Sequence, residues 1–130
     1  FRIVPLLDGL RQGEEKEFYP SGIQSHYRLY KNDKMTQERT WFPQGTLKEE
    51  QTYYGKVGHA DMRKWDTNGM LYEEGVFENG KYTYRCWDSK GELEREYFGF
   101  WDGEKVMITK VTKGHLRIQE YENLVENFTQ

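Results

Sequence analysis

Two sets of residues recur in this chain at intervals that could do chemistry. Glu50, Glu74 and Glu96 each stand five residues after a glycine (Gly45, Gly69 and Gly91), with Glu49 and Glu73 beside the first two and Arg95 beside the third. Paired carboxylates are the machinery of glycoside hydrolysis. On neighbouring β-hairpins, equivalent positions lie two strands apart, about 9.6 Å, at the outer edge of the roughly 6.5–9.5 Å used by inverting enzymes. A repeated column is also what a solvated strand face produces, and no cleft is implied. The expectation is therefore that no residue here is catalytic and the chain is not an enzyme. The three glutamates are expected instead to form a negative stripe that orients a protein partner.

Phe18, Trp41, Trp65 and Trp87 form the second set, each four residues before a glycine (Gly22, Gly45, Gly69 and Gly91). An exposed aromatic ladder would suit stacking on carbohydrate or hot-spot contact with a protein. The fixed position relative to the turn favours a structural seam, each ring packing on the next hairpin. Tyr19, Phe42, Tyr54, Tyr72 and Trp101 do not obey the repeat. Packing alone does not require them, so they are the candidates for partner contact.

Other chemistries lack their residues. His26, His59 and His115 share no ligand spacing, and Cys86 is the only cysteine, so neither a metal site nor a disulfide framework is expected. Cys86 reads as a small apolar residue in a strand. Nucleophile-elbow and phosphate-loop motifs are missing, and no cofactor is expected. With 19 basic and 22 acidic residues the net charge is −3, unlike the basic footprint of a nucleic-acid binder. No apolar run is long enough to insert in a membrane. A start at Phe1 leaves open both a cytoplasmic protein and one exported after removal of a leader.

The elements that must position these residues follow from the glycines. The first-register glycines are 23, 24 and 22 residues apart, and a fixed period in this range marks a stacked-repeat architecture. A second register, Asp8-Gly9, Asn32-Asp33, Tyr54-Gly55, Asn79-Gly80 and Asp102-Gly103, falls about midway between them. Asn-Gly and Asp-Gly supply the positive φ of tight hairpin turns. Each repeat thus holds two turns and two short segments of alternating apolar and charged residues, which predicts one hairpin per repeat.

The fold expected is all-β: a single-layer twisted antiparallel meander of stacked hairpin repeats, about eight or nine strands, with a short C-terminal helix. One repeat domain spans 1–130. Residues 1–13 form an apolar N-terminal cap (Phe1, Ile3, Val4, Leu6, Leu7, Leu10), 14–108 the hairpins, and 109–130 a C-terminal cap. Tyr121, Leu124, Val125 and Phe128 stand at helical spacing and predict a helix that covers an open end or face of the sheet. Aromatic content of 16% with a mean hydropathy of −1.03 suits a thin sheet that relies on large rings to bury apolar area.

The stretches Asp8–Gly22 (DGLRQGEEKEFYPSG) and Trp65–Gly80 (WDTNGMLYEEGVFENG) carry a turn glycine, an aromatic, a second turn glycine, a Leu-x-x-Glu stretch and an aromatic before Asn-Gly. This pattern resembles the MORN-repeat-variant family, over roughly residues 8–105. The resemblance implies the same β meander, and a role as a non-enzymatic protein-binding module. Bacterial members are called YwqK-type antitoxin components, and others serve as scaffolds. It therefore implies either masking of a partner protein or membership of a larger complex. Asn32-Asp33 lacks its glycine, and Gln24 stands where the other repeats have leucine.

Overall fold

Tight turns fix this fold, and their backbone follows from their residues. In all four first-register turns the glycine has positive φ, from +82° to +101°. Each closes by two backbone bonds: Tyr19 N–H to Ile23 O and Gly22 N–H to Tyr19 O in the first, with the same pairs recurring from Phe42, Asp66 and Asp88. This is a type I turn ending in a left-handed residue, a common three-residue hairpin loop. Two chemistries stabilise it. Pro20 and Pro43 preset φ at the second turn position. Asp66 and Asp88 instead accept hydrogen bonds on Oδ1 from the backbone N–H groups of Asn68 and Met70, and of Lys90 and Glu92. In the second register, Asn32 and Asp33 both have positive φ, as do Asn79 and Gly80. The glycine-free copy therefore makes the same two-residue turn as its Asn-Gly counterpart.

The computed structural model describes residues 2–3, 6–7, 9–55 and 59–125. Its strands are β1 (Arg2–Ile3), β2 (Leu6–Leu7), β3 (Leu10–Arg11), β4 (Gly13–Phe18), β5 (Gln24–Lys31), β6 (Lys34–Trp41), β7 (Leu47–Tyr53), β8 (Ala60–Trp65), β9 (Leu71–Glu78), β10 (Lys81–Trp87), β11 (Leu93–Trp101) and β12 (Val106–Lys113), followed by helix α1 (Ile118–Tyr121). The main sheet runs β1-β4-β5-β6-β7-β8-β9-β10-β11-β12, antiparallel throughout, and β2–β3 form a separate small hairpin. The antiparallel meander of hairpins is therefore present. Phe1, Val4 and Phe128, assigned to the caps by sequence, lie outside the described residues.

A β-bulge follows every first-register turn, where the register shifts at Glu17/Phe18, Thr40/Trp41, Lys64/Trp65 and Cys86/Trp87. The extra residue is Ser25, Lys48, Tyr72 or Glu94, placed identically in each repeat. Bulges raise the local right-handed twist, so this repeat twists at the same point in every hairpin.

Strand alternation divides the side chains between two faces. One face carries the core: Tyr82, Tyr84, Tyr97, Ile108 and Leu116 form a buried cluster, with Met62, Phe77, Cys86, Val106 and Val111 packed against it. Leu116 belongs to the segment after β12, so this segment covers the face. It also binds by charge, through Arg95 to Glu120 and Arg117 to Glu73. At the other end of the same face, Arg11 lies 4.3 Å from the ring centroid of buried Tyr30 and hydrogen-bonds its hydroxyl at 3.1 Å. We call this the covered face.

The C-terminal helix is shorter and earlier than the sequence periodicity predicts. It ends at Tyr121, and Leu124 instead forms a parallel bridge to Ile108. Ile108 N–H donates to Asn123 O, and Val125 N–H to Ile108 O, both at 2.8 Å. Unpaired backbone groups on the β12 edge outcompete continuation of a four-residue helix, which is marginal alone.

Two glycines of the sheet have no room for a side chain. A Cβ on Gly75 would collide with the phenol of Tyr82, and one on Gly99 with the backbone carbonyl of Met107. Gly75→Ala and Gly99→Ala are each expected to cost about 2 kcal/mol. Gly99→Ala is the worse of the two because backbone yields less than a ring. Urea denaturation of the two variants checks both the size and the order.

Burial raises the pKa of four tyrosines on the covered face, three of them in the core. Tyr53 is pushed up to about 12, by burial first and then by the charge of Glu38. Tyr82, Tyr84 and Tyr97 rise further, again chiefly by burial. A folded-state pKa above the unfolded value of about 10 contributes stability that is complete below that pH and is lost as pH rises. Melting temperature is therefore expected to fall steeply above about pH 10, with tyrosinate absorbance from these four rings appearing together with unfolding. Full ionisation near that pH with the fold intact would show the rings to be solvated.

Candidate functional site

The opposite face is built around one continuous cross-strand row. Register places Lys16, Tyr27, Arg39, Glu50, Arg63, Glu74, Arg85, Glu96 and Lys113 side by side from β4 to β12. The three glutamates expected to form a negative stripe thus alternate with arginines. Arg39 Nε reaches Glu50 at 3.2 Å, Arg63 Nε reaches Glu74 at 3.0 Å, and Arg63 Nη1 reaches back to Glu50 at 3.8 Å. Arg85 binds Glu96, whose carboxyl also accepts from Thr112 Oγ1. The Thr112 bond first, then that from Arg85, holds Glu96 below the ordinary glutamate range.

The sequence could have shown this. Lys16, Arg39, Arg63 and Arg85 stand six residues before the turn glycines, as the glutamates stand five after them. An arginine lies between successive carboxylates, so the row is an ion-pair ladder with more cations than anions. These pairs are part exposed, and each adds at most about 1 kcal/mol. Their effect is to fix side chains in a set pattern across the sheet.

Beside this row, on the same face by strand alternation, run Phe18, Trp41, Trp65 and Trp87. They pair across the bulges with Gln24, Leu47, Leu71 and Leu93 respectively. All four rings are half-buried, and none belongs to the buried cluster of the covered face. Phe98 and Phe100 extend the aromatic surface at the β11 end. Phe100 is exposed, and Arg85 lies 6.0 Å from the Phe98 ring centroid. Among the described residues, the segments flanking the sheet reach the covered face, the β12 edge and the β5–β6 turn, where Arg11 pairs with Asp33 at 2.9 Å and Asn32 N–H donates to Gln12 Oε1 at 2.7 Å. The Trp row and the ladder form the open face.

The five irregular aromatics divide into three groups. Tyr19 donates its hydroxyl to Trp41 O at 2.6 Å and so ties its turn to the next hairpin. Phe42 occupies the same turn position one repeat later, with Lys48 Nζ 5.7 Å from its ring centroid. Tyr72 is the bulge residue of its repeat and is exposed. Tyr54 and Trp101 come together on the covered side, bridged by Phe77 and by His59, a histidine that its spacing marked only as no metal ligand. His59 stacks on Trp101 at 4.6 Å and meets Phe77 at 4.5 Å and Tyr54 at 5.1 Å. This cluster is invisible to repeat alignment because it joins the β7–β8 loop to the end of β11.

Among the described residues, no group of three or more His, Cys, Asp or Glu side chains could hold a metal ion, and no helix is long and apolar enough to cross a membrane. No protein-family model matches this chain, and no curated protein matches it.

Proposed function

We propose that this chain is a non-enzymatic protein-binding repeat module whose open face is its contact surface. One observation carries the reading: the flanking segments pack on one face, while a Trp row and a charge ladder are left uncovered on the other. Hydrogen-bonded strands and ion pairs hold this surface in place before a partner arrives, so little ordering entropy opposes binding. Exposed Tyr72 and Phe100 are the anchors, and the ladder sets orientation. In the form suggested by the MORN-variant resemblance, binding masks the partner, as in an antitoxin or immunity protein.

Membership of a larger assembly is the second reading. It is favoured by exposed apolar residues in the terminal segments, Leu10, Tyr121 and Leu124. Carbohydrate stacking on the Trp row comes third.

Affinity capture from the source lysate separates these readings when wild type is run beside a Tyr72→Ala/Phe100→Ala double variant. The expected result is one protein retained in simple stoichiometry by wild type and bound at least about tenfold more weakly by the variant, the loss of an aromatic anchor pair. Equal retention by both would exclude the open face. Many subunits in fixed ratio, lost on changing Tyr121 and Leu124 to Ser, would establish the assembly reading instead.

A further inference from the structure

The aromatic corner on the covered side has the form of a small box. Phe77 stands at 86° to Trp101, with ring centroids 6.2 Å apart, and at 78° to Tyr54, 6.3 Å apart. The imidazole of His59 sits among the three, stacked against Trp101 with an interplanar angle of 15°. Asp61 braces two of the walls, accepting the Tyr54 hydroxyl on Oδ2 and the Phe77 backbone N–H on Oδ1, each at 2.7 Å. A carboxylate is thus bonded directly to a box of aromatic rings.

We infer that this box is a binding site for a quaternary ammonium group, with the His59 ring as its resident plug. Such a group has no N–H to donate, so only aromatic rings and a neighbouring negative charge can attract it. Tyr54, Phe77, Trp101 and Asp61 supply both. The plug can leave without dismantling the walls. The backbone of His59 is pinned by the Tyr54 N–H to His59 O bond at 2.9 Å, which closes the loop whichever way the imidazole points. Trp101 and Phe77 are carried by β11 and β9, not by that loop. A site occupied by its own side chain shows an affinity reduced by the fraction of time it is filled, so removing the plug should strengthen binding.

The test titrates choline, and its uncharged isostere 3,3-dimethylbutan-1-ol, into wild type and His59→Ala while following the Trp101 indole resonance by NMR. His59→Ala is expected to bind choline in the millimolar range, about tenfold more tightly than wild type, and to discriminate against the isostere. Tyr54→Leu in the same background, read at the same Trp101 resonance, should lose the binding. Equal response to choline and the isostere would overturn the proposal by reducing the box to an apolar pocket. So would a folded His59→Ala, judged by circular dichroism, that shows no choline-dependent shift. If His59→Ala does not fold, wild type decides alone: choline must move both the His59 ring and Trp101 resonances, and silence in both overturns the site. Competition between free choline and phosphatidylcholine vesicles then tells a soluble cation from a lipid headgroup, and either one supports the cage.

Discussion

Tyr84→Ala is expected to lower the free energy of unfolding by about 4 kcal/mol. Tyr84 is only 4% exposed, and its ring stacks on Tyr97 at 4.8 Å. Its hydroxyl donates to Glu73, and the guanidinium of Arg95 lies 5.2 Å from its ring centroid. Truncation removes a whole ring from the centre of the C-terminal core. The cavity cannot be refilled from across the sheet, because the residue opposite on β9 is Gly75. Tyr84→Phe isolates the hydroxyl and should cost about 1.5 kcal/mol, the low end for a bond to a charged group, since Glu73 keeps Lys64 at 3.4 Å. Chemical denaturation of the two variants separates ring from hydroxyl. A Tyr84→Ala cost below about 1 kcal/mol, the scale of surface changes, would place the core elsewhere.

Arg28→Met should be about as damaging, for the opposite reason. In the N-terminal half of the covered face the place of the tyrosine cluster is taken by charge. Arg28 binds Glu15 at 2.9 Å, Glu17 at 2.6 Å and Glu38 at 3.1 Å, and Glu15 is fully buried. Burial alone would lower the Arg28 pKa, but the bonds it donates to Glu17 and Glu38 outweigh it and the net shift is upward. Removing one member of a buried ionic cluster costs roughly 3–5 kcal/mol because the remaining charge is left in a poor solvent. About 3 kcal/mol is expected here, since Glu17 and Glu38 remain partly solvated. The diagnostic result is the pair: Arg28→Met/Glu15→Leu should recover most of the loss, because apolar replacement of a buried ion pair is often neutral and the remaining Glu17 and Glu38 keep contact with solvent. A double variant as unstable as the single one would mean that Arg28 acts by packing alone.

The turns were legible because they are local. Positive φ at Gly22, Gly45, Gly69 and Gly91 follows from a residue type at a fixed offset, and even Asn32-Asp33 follows from the tolerance of those residues for the left-handed region. The bulges were not, because a bulge is defined by which residue on the next strand opposes it, and Ser25, Lys48, Tyr72 and Glu94 share no side-chain chemistry. The glutamate column was visible but its arginines were missed, since alignment on one glycine displays one strand of each hairpin at a time. Periodicity placed the helix on Tyr121, Leu124 and Val125. It could not register the competing claim of the Ile108 backbone on residues 123–125. The corner that joins Tyr54, His59, Phe77 and Trp101 lies beyond any repeat logic.

Every strand from β4 to β12 pairs with the strand next to it in the chain. Contacts of this kind are short in sequence, so folding should be fast for an all-β protein, with hairpins zipping outward from whichever forms first. It also makes length an adjustable quantity. A chain lengthened or shortened by one whole hairpin leaves every strand with an antiparallel neighbour and keeps both faces. A single inserted residue within a strand would turn the ladder arginines inward and the core tyrosines out.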